Sequence, residues 1–590
     1  MSTTELFGEY QASTETPSSA PTDRKKGAVA LHDEGSRGFL GTVRLRNDQT
    51  GEVILVPTPS NDPNDPLNWP QWYKNAVAAL ICCAMLMCNF LAAGPTIALV
   101  ETAVDFFPDA ADPASNPDAF DDAVAAVAYY FTTTSLLQGI SNFVWVPLAN
   151  KYGRRPVYIL SYTIYLACAV WLVFEESYNG FLAGRILMGV GAGAAETIAP
   201  ISIADIFFLH ERGTIMALYT AFLSAGVAFG MVVSGLITID HDWRTIYSVA
   251  AILISMTLLA AVLIFPETAR DAYASRYEAE CPLQNMGRQP VASDTELEHH
   301  GNQSASALRR RGYVQSLKIF TGVHTSESLW RIAVRPFGLI LLPPVLWAAL
   351  VESVTIGFLV AVTSNVDVAF EGSYDFESYQ VGLCFISGVI GALIGIFAGG
   401  HLSDWVADVL TKRNGGVREP EMRLPAMIPP LITTPLALIL FGVGIEQRLH
   451  WICPTVGLGL LNFSITSATN VCLVYVIDAY RPVAGEITLA VMGFKCKSRV
   501  NPSSYSQIGF YSNAEITMTA IFGFLLSFYT NPWVDDAGFM DAYGSMAGIA
   551  AVVILGWIPL YVWGSRIRKA TLSWPAVRFV RWSRDREVGE

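Results

Sequence analysis

Charge is what this chain has little of. Of its 590 residues only 15% are Asp, Glu, Lys or Arg, while 52% are hydrophobic. A soluble chain of that length would divide into several domains and carry more charge on their surfaces. Cations are the scarcer sign, 38 against 51 acids, for a formal net charge of −13. Such a balance offers no basic face to phosphate, so no nucleic-acid partner is expected. The acids fall mostly in tails and loops, where they read as solvated charge. Cysteine is scarce too. Cys82, Cys83, Cys88, Cys168, Cys384, Cys453 and Cys472 lie inside apolar runs, without zinc spacing or a paired extracellular framework, and read as small packing residues. Neither a metal cluster nor a nucleophile constellation is evident, so no enzyme and no cofactor is expected. The lack of a Walker motif argues against an ATP-driven pump. The first 70 or so residues have no apolar signal-peptide core, and the first apolar run is expected to act as its own uncleaved membrane signal.

What the chain does have is apolar runs of 18 residues or more, the length that crosses a hydrocarbon core of about 30 Å. They fall at about 76–100, 123–148, 157–174, 181–206, 214–239 and 245–265, then at about 336–364, 381–402, 426–445, 451–477 and 542–563. A broken region at 484–530 pairs two segments too short to span, "GEITLAVMGF" and "AIFGFLLSFY", around a polar stretch. Removing residues 496–519 fuses them into one span. This stretch reads as an insertion, an intron translated in frame being one origin; a loop between two re-entrant half-helices is the alternative. The expectation is an all-α polytopic membrane protein with twelve transmembrane helices in two six-helix bundles. Its parts are a cytosolic, disordered N-terminal tail with an interfacial segment (1–73), a first bundle (74–265), a cytosolic linker (266–335), a second bundle (336–563) and a cytosolic tail (564–590).

Orientation comes from where the few cations stand. The connection "NKYGRRP" holds Lys151, Arg154 and Arg155 with no acid, and the C-terminal tail holds "SRIRKA". Alternate connections, such as "EESYNG" and "VDVAFEGSYDFESYQ", hold no Lys or Arg. The positive-inside rule then places both termini and the linker in the cytosol. The sequon at Asn302 lies in that linker and is expected to be unused.

Charged and polar residues inside apolar runs are costly, and so are candidates for function. In the fourth run, Arg185, Gly189, Gly193 and Glu196 share one helical face, with Arg185 and Glu196 about 16 Å apart along the axis. The reading places Arg185 near the cytoplasmic edge and Glu196 nearer the midplane, as on a proton or cation path; structural pairing is the plainer alternative. "GVGAG" in this run follows no strand and reads as close helix packing, not a dinucleotide loop. Glu352 stands in the middle of "LWAALVESVTIGFLV" as proton carrier, as counter-ion for a cationic substrate, or as a hydrogen-bonded packing residue. Asn89 precedes a Gly94–Pro95 break that frees backbone groups able to line a cavity. The tenth run carries Asn462, Ser464, Thr466, Ser467, Thr469 and Asn470. These are too closely spaced to share one face, so some must bond only between helices.

Order, side and spacing of several short motifs resemble the major facilitator superfamily over Asp62 to about Trp563. "NKYGRRP" is similar to its signature between helices 2 and 3, "GRILMGVGAG" to the Arg-containing motif of twelve-span drug:proton antiporters, and "FPET" to a sixth-helix ending. "DPNDPLNW", "IADIFFLHERG", "DWRTIY" and "YRPVAGE" resemble the fungal branch that includes histidinol- and polyamine-permease-like proteins. The resemblance implies two bundles rocking about a central site and proton-driven transport of a small molecule by a monomer in the plasma membrane. Arg185 would tune the acids. Export by antiport is the first reading and uptake of a small organic cation the second; a transporter-like receptor is a remote third. Asn150, Lys151, Gly153, Arg154 and Arg155 would form a cytoplasmic latch. The superfamily has an acid where this chain has Asn150, and a small residue where it has Val146. The second half keeps Gly400 and Asp404 at that spacing, so Asp404 is expected to supply the latch carboxylate. "SAGVAFGMVVSG" resembles the small-residue antiporter motif but lacks its Gly-Pro pair, which leaves transport direction open.

Overall fold

The computed structural model describes residues 43–44, 64–110, 117–268, 313–320, 322–323, 329–330, 339–415, 417–480, 533–534, 536–571 and 574. Most of the expected tails and linker, Asn302, the broken region 484–530 and the insertion 496–519 lie outside them.

Six long helices come first. They are α1 (Gln71–Phe106), α2 (Pro117–Tyr152), α3 (Arg154–Phe174), α4 (Tyr178–Ile206), α5 (Leu209–Ile237) and α6 (Arg244–Ile264). Five more follow: α7 (Pro343–Tyr374), α8 (Ser378–Arg413), α9 (Pro420–Glu446), α10 (Ile452–Ala479) and α11 (Phe539–Thr571). Among the described residues ten helices are long and apolar enough to cross a membrane. Helix α2 is long enough but is diluted by Thr132, Thr133, Thr134, Gln138 and Asn142. The chain is thus all-α and polytopic among the described residues, apart from one two-residue strand pair. That pair joins β1 (Val43–Arg44), inside the tail read as disordered, antiparallel to β2 (Val417–Arg418).

Several helices run past the expected span ends. The acids of "VETAVDF" and "NVDVAFEGSY" belong to the last turns of α1 and α7 rather than to loops. A helix satisfies its own backbone whether or not hydrocarbon surrounds it, so polar residues end the apolar run without ending the helix. Proline does interrupt. Pro95 lacks the N–H that would bond Leu91, and Gly94–Ala98 tightens into a 3₁₀ turn inside α1. In α8 the small residues of "FAGGHL" form a π-helical stretch, Phe397–Leu402.

Burial separates central helices from peripheral ones. The most apolar stretches of α4 and α10 are 83% and 89% buried, those of α6 and α11 only 33% and 28%. On α6 the exposed residues Ile252, Met256, Leu259 and Leu263 recur every three or four positions, an apolar stripe suited to lipid. Glycines set the central spacing. A Cβ on Gly189 or Gly193 would run into the α2 backbone, and one on Gly191 would come within 2.6 Å of the Tyr165 nitrogen of α3. Gly226 and Gly230 bring α5 equally close to α1. The "GVGAG" and "SAGVAFG" runs are therefore close-packing surfaces.

Helix α5 is the main contact of the first half with the second, packing on α8 and α10. Leu473, Val474 and Ile477 of α10 join the apolar core of the first half. Toward the other end Ile97, Ala228 and Met231 of the first half join a core of the second.

Candidate functional site

A cavity lies where α1, α2, α4, α5, α7 and α10 converge. It holds about 960 Å³ of non-atom space, its open mouth included. Asn89, Gln138, Ser224 and Glu196 supply polar walls, while Phe131, Ile356, Leu359 and Ile465 supply apolar ones. Thr363 and Ser364 line it from α7. Most of this surface is apolar with a few convergent polar groups, the composition of a small-molecule site.

Hydrogen bonds tie these polar walls to neighbouring helices. The Asn89 amide donates to the Leu223 carbonyl of α5 at 3.1 Å and accepts from Gln138 of α2 at 3.4 Å. This ties three helices together at one polar point. Glu196 is almost fully buried, and its main-chain carbonyl accepts from the Tyr219 hydroxyl at 2.7 Å. Tyr219 lies within electrostatic reach of both the Glu196 and the Glu352 carboxylates. It stands near an acid of the first half and one of the second. Glu352 is equally buried but stands outside the lining, near Cys472 of α10.

Arg185 does not sit at the edge that carries the basic connection. Helix α4 begins within "EESYNG", at Tyr178, so its early residue Arg185 lies toward the opposite end, and Glu196 is the one nearer the basic connection. The guanidinium is fully buried and donates to the carbonyls of Leu91 (2.9 Å), Ala92 (3.3 Å) and Tyr130 (3.3 Å). Leu91 is the carbonyl that Pro95 leaves without a helical donor, so Arg185 occupies the vacancy that the proline creates. Its remaining faces lie over Phe131 and Tyr247, 4.8 and 5.9 Å from the ring centroids. Among the described residues it makes no ion pair with a carboxylate.

The polar residues of α10 divide as their spacing requires. The oxygen of Asn462 accepts from Ser224 of α5 at 2.7 Å, a hydrogen bond between the two halves. Ser464 shares a hydrogen with Thr433 of α9 at 2.5 Å, inside the second half. Asn470 donates to the Gly399 carbonyl in the π-helical stretch of α8 at 2.6 Å. Neither Asn462 nor Asn470 lines the cavity.

At the end bearing residues 149–156 the carboxylates differ from the expected one. Arg154 pairs with Asp205, the next-to-last residue of α4, at 3.3 Å. It also donates to Asn150 at 3.2 Å and to the Ala149 carbonyl. The backbone N–H groups of Arg154 and Arg155 donate to Glu267 of "FPET" at 2.8 and 3.3 Å. The Arg155 side chain reaches the last carbonyls of α6 at Val262 and Ala261, where a helix dipole favours a cation. Gly153 has φ +103°, and the Glu267 carboxylate fills the place of its missing Cβ. Lys151 lies 6.0 Å from the Tyr152 ring. Asp404 does not join this loop. It pairs with Arg423 at 2.8 Å and Arg418 at 3.8 Å in its own half, while its carboxylate rests on Gly213 of α5. Gly400 likewise meets α5, at Ala217. The expectation failed because sequence distance hid Asp205, 51 residues beyond Arg154, and Glu267, 113 beyond it. "IADIF" and "FPET" contained the signal, as acids at helix ends.

The second half repeats the scheme. Asp478 is the next-to-last residue of α10, as Asp205 is of α4, and lies within electrostatic reach of Arg418. Burial holds the Arg418 guanidinium below its ordinary pKa, Arg423 adds to that, and Asp478, Asp408 and Asp404 oppose it. Glu421 and Arg568 close the end with two hydrogen bonds of 2.8 Å. At the other end, Glu101 of α1 and Glu371 of α7 lie near the buried Asp367. The charge pattern alone puts Asp367 in a connection, whereas it lies inside α7.

Comparison with known proteins gives the same picture. A family model described as Major Facilitator Superfamily matches residues 77–494. An uncharacterised MFS-type transporter of Schizosaccharomyces pombe is 25% identical over 92% of this chain and 93% of its own. Protein HOL1 of Saccharomyces cerevisiae is 24% identical over 91% and 94%. Among solved structures, that of the proton:xylose symporter XylE bound to 6-bromo-6-deoxy-D-glucose superposes with a TM-score of 0.52. Its identity is 12%, covering 82% of this chain and 95% of that one. The likeness supports the fold. The chain belongs to the Major Facilitator Superfamily and is a multi-pass integral membrane transporter of small solutes.

Proposed function

We propose that this transporter couples movement of a small, largely apolar organic solute to protons, exporting it by antiport through rocking of its two halves. The observation that carries the reading is Glu196, a buried carboxyl in the cavity wall, with Tyr219 near both it and Glu352 of the other half. A carboxyl in the cavity wall can be engaged in turn by a proton or by a solute. A solute and a proton competing for one wall give exchange. Arg185 acts on the site through α1, whose broken turn it holds beside Asn89. The latch Asn150–Arg155 with Asp205 and Glu267, and the ring of Gly400, Asp404, Arg418 and Arg423, gate the end placed in the cytosol with both termini. The assignment to a plasma-membrane monomer, and the domain limits given above, belong to the same reading.

A second reading is uptake of a small organic cation such as a polyamine or histidinol. Glu101, Asp367 and Glu371 favour it, since three acids near one end would attract a cation. Flux into proteoliposomes under an imposed pH gradient separates the two. Solute moving against proton flow supports antiport, and solute accumulating with protons supports uptake.

A further inference from the structure

The buried polar turn of α10 has a property that its helix packing does not require. Asn462, Ser464, Thr466, Ser467, Thr469 and Asn470 are all fully buried. The first two are satisfied by Ser224 and Thr433. One turn on, Thr466 Oγ1, Ser467 Oγ, Thr469 Oγ1 and Asn470 Oδ1 all lack a hydrogen-bond partner among the described residues. Native proteins leave only a few such groups in a hundred residues, and each one disfavours the state that buries it. Alanine or valine would pack the same turn without that cost.

Their position is as specific as their chemistry. The Thr466 carbonyl accepts from Thr220 of α5 at 3.3 Å, so this turn lies in the seam between the halves. Thr469 lies one turn beyond Ile465, which lines the cavity, and continues that face toward the latch end. Beyond it, Leu473, Val474 and Ile477 are packed into the core of the first half. An apolar seal therefore sits next to polar groups that the same seal deprives of water.

We propose that the Thr466–Asn470 turn is a built-in bias against sealing of the latch end. This rests on the reading that the halves rock. When they part at this end, water reaches Thr466 and Thr469 and the opposition is relieved. When they close, burial of Leu473, Val474 and Ile477 drives the seal against it. The two opposing contributions keep either state from becoming a trap, which a carrier that must visit both requires.

The test places a reporter in the seam by Ile477→Cys and follows its alkylation by N-ethylmaleimide in purified protein, site by site, with mass spectrometry. Thr466→Val with Thr469→Val keeps shape and removes the unpaired hydroxyls; labelling should slow about tenfold, the effect of 1.4 kcal/mol on an equilibrium. Thr466→Ser with Thr469→Ser keeps the hydroxyls and should label at least as fast as the parent. Leu473→Ala weakens the seal and should speed labelling. Valine variants that label as fast as the parent or faster, while Leu473→Ala still speeds it, would overturn the bias, because the hydroxyls would then be supporting the closed seam. Labelling unaltered by Leu473→Ala as well would overturn the rocking of this seam, and the bias with it.

Discussion

Asp205, not Asp404, is the acid that meets the basic connection, and this changes what each substitution should do. Arg154 is almost fully buried beside Asp205. Removing one partner of a buried pair leaves an uncompensated charge, at a cost of up to about 3–5 kcal/mol. Asn150 and the Ala149 carbonyl retain part of the contact, so Asp205→Asn should fall in the lower part of that range. Thermal unfolding in detergent checks it. Asp404→Asn should not disturb Arg154, and should instead release Arg423 and Arg418 from their shared acid. A melting temperature lowered by Asp404→Asn but not by Asp205→Asn would reverse this assignment. The acid of this pair was legible in the sequence only as an acid at a helix end. Nothing in residues 149–156 points fifty positions ahead to Asp205, because the pairing depends on how α4 returns beside α2. Glu196, by contrast, was legible as a carboxyl inside an apolar run, whatever its neighbours.

The element scale is clearest in α1. Pro95 removes the donor for the Leu91 carbonyl, and Arg185 of α4 supplies one. The two residues should therefore be coupled. Arg185→Met alone leaves that carbonyl buried without a donor, while Pro95→Ala restores a backbone N–H to it. A double-mutant cycle on thermal stability should show Arg185→Met costing about 1 kcal/mol less in the Pro95→Ala background, a coupling expected of residues in contact. Equal costs in both backgrounds would mean that the guanidinium is held by Tyr130, Phe131 and Tyr247 alone. Here the sequence showed both the break and the cation, but not that one serves the other. It also misread the end of the helix at which Arg185 stands, although the alternation of connections contained the answer. Helix existence was legible from apolar length throughout the described residues. Helix ends were not, because α1 and α7 continue as helix through acids that end the apolar run.

The two halves share a plan at the scale of the whole molecule. Helices α4 and α10 are the most buried, each ends one residue after an Asp, and each half draws a cluster of arginines to that end. Eleven of the twelve expected spans are among the described helices and were legible because duplication preserves run lengths and connection charge; the span expected at 484–530 lies outside the described residues. The cavity between the halves was legible only as scattered polar residues, since Asn89 and Glu196 meet through packing that no local pattern encodes. Orientation yields a further prediction. Single-cysteine variants at Lys151 and at Lys412 should label only from the cytosolic face of intact cells, and a cysteine at Glu176 only from outside. Labelling of Lys151→Cys from outside would invert the topology.

The central claim is that Glu196 and Glu352 carry the coupling between solute and proton. The most direct measurement is flux of a transported solute in proteoliposomes under an imposed pH gradient, compared with solute exchange at equal pH on both sides. Glu196→Gln and Glu352→Gln should each lower gradient-driven flux at least tenfold while leaving exchange within about twofold, because the solute still binds but the proton no longer does. Gradient-driven flux unchanged in both variants would contradict the account.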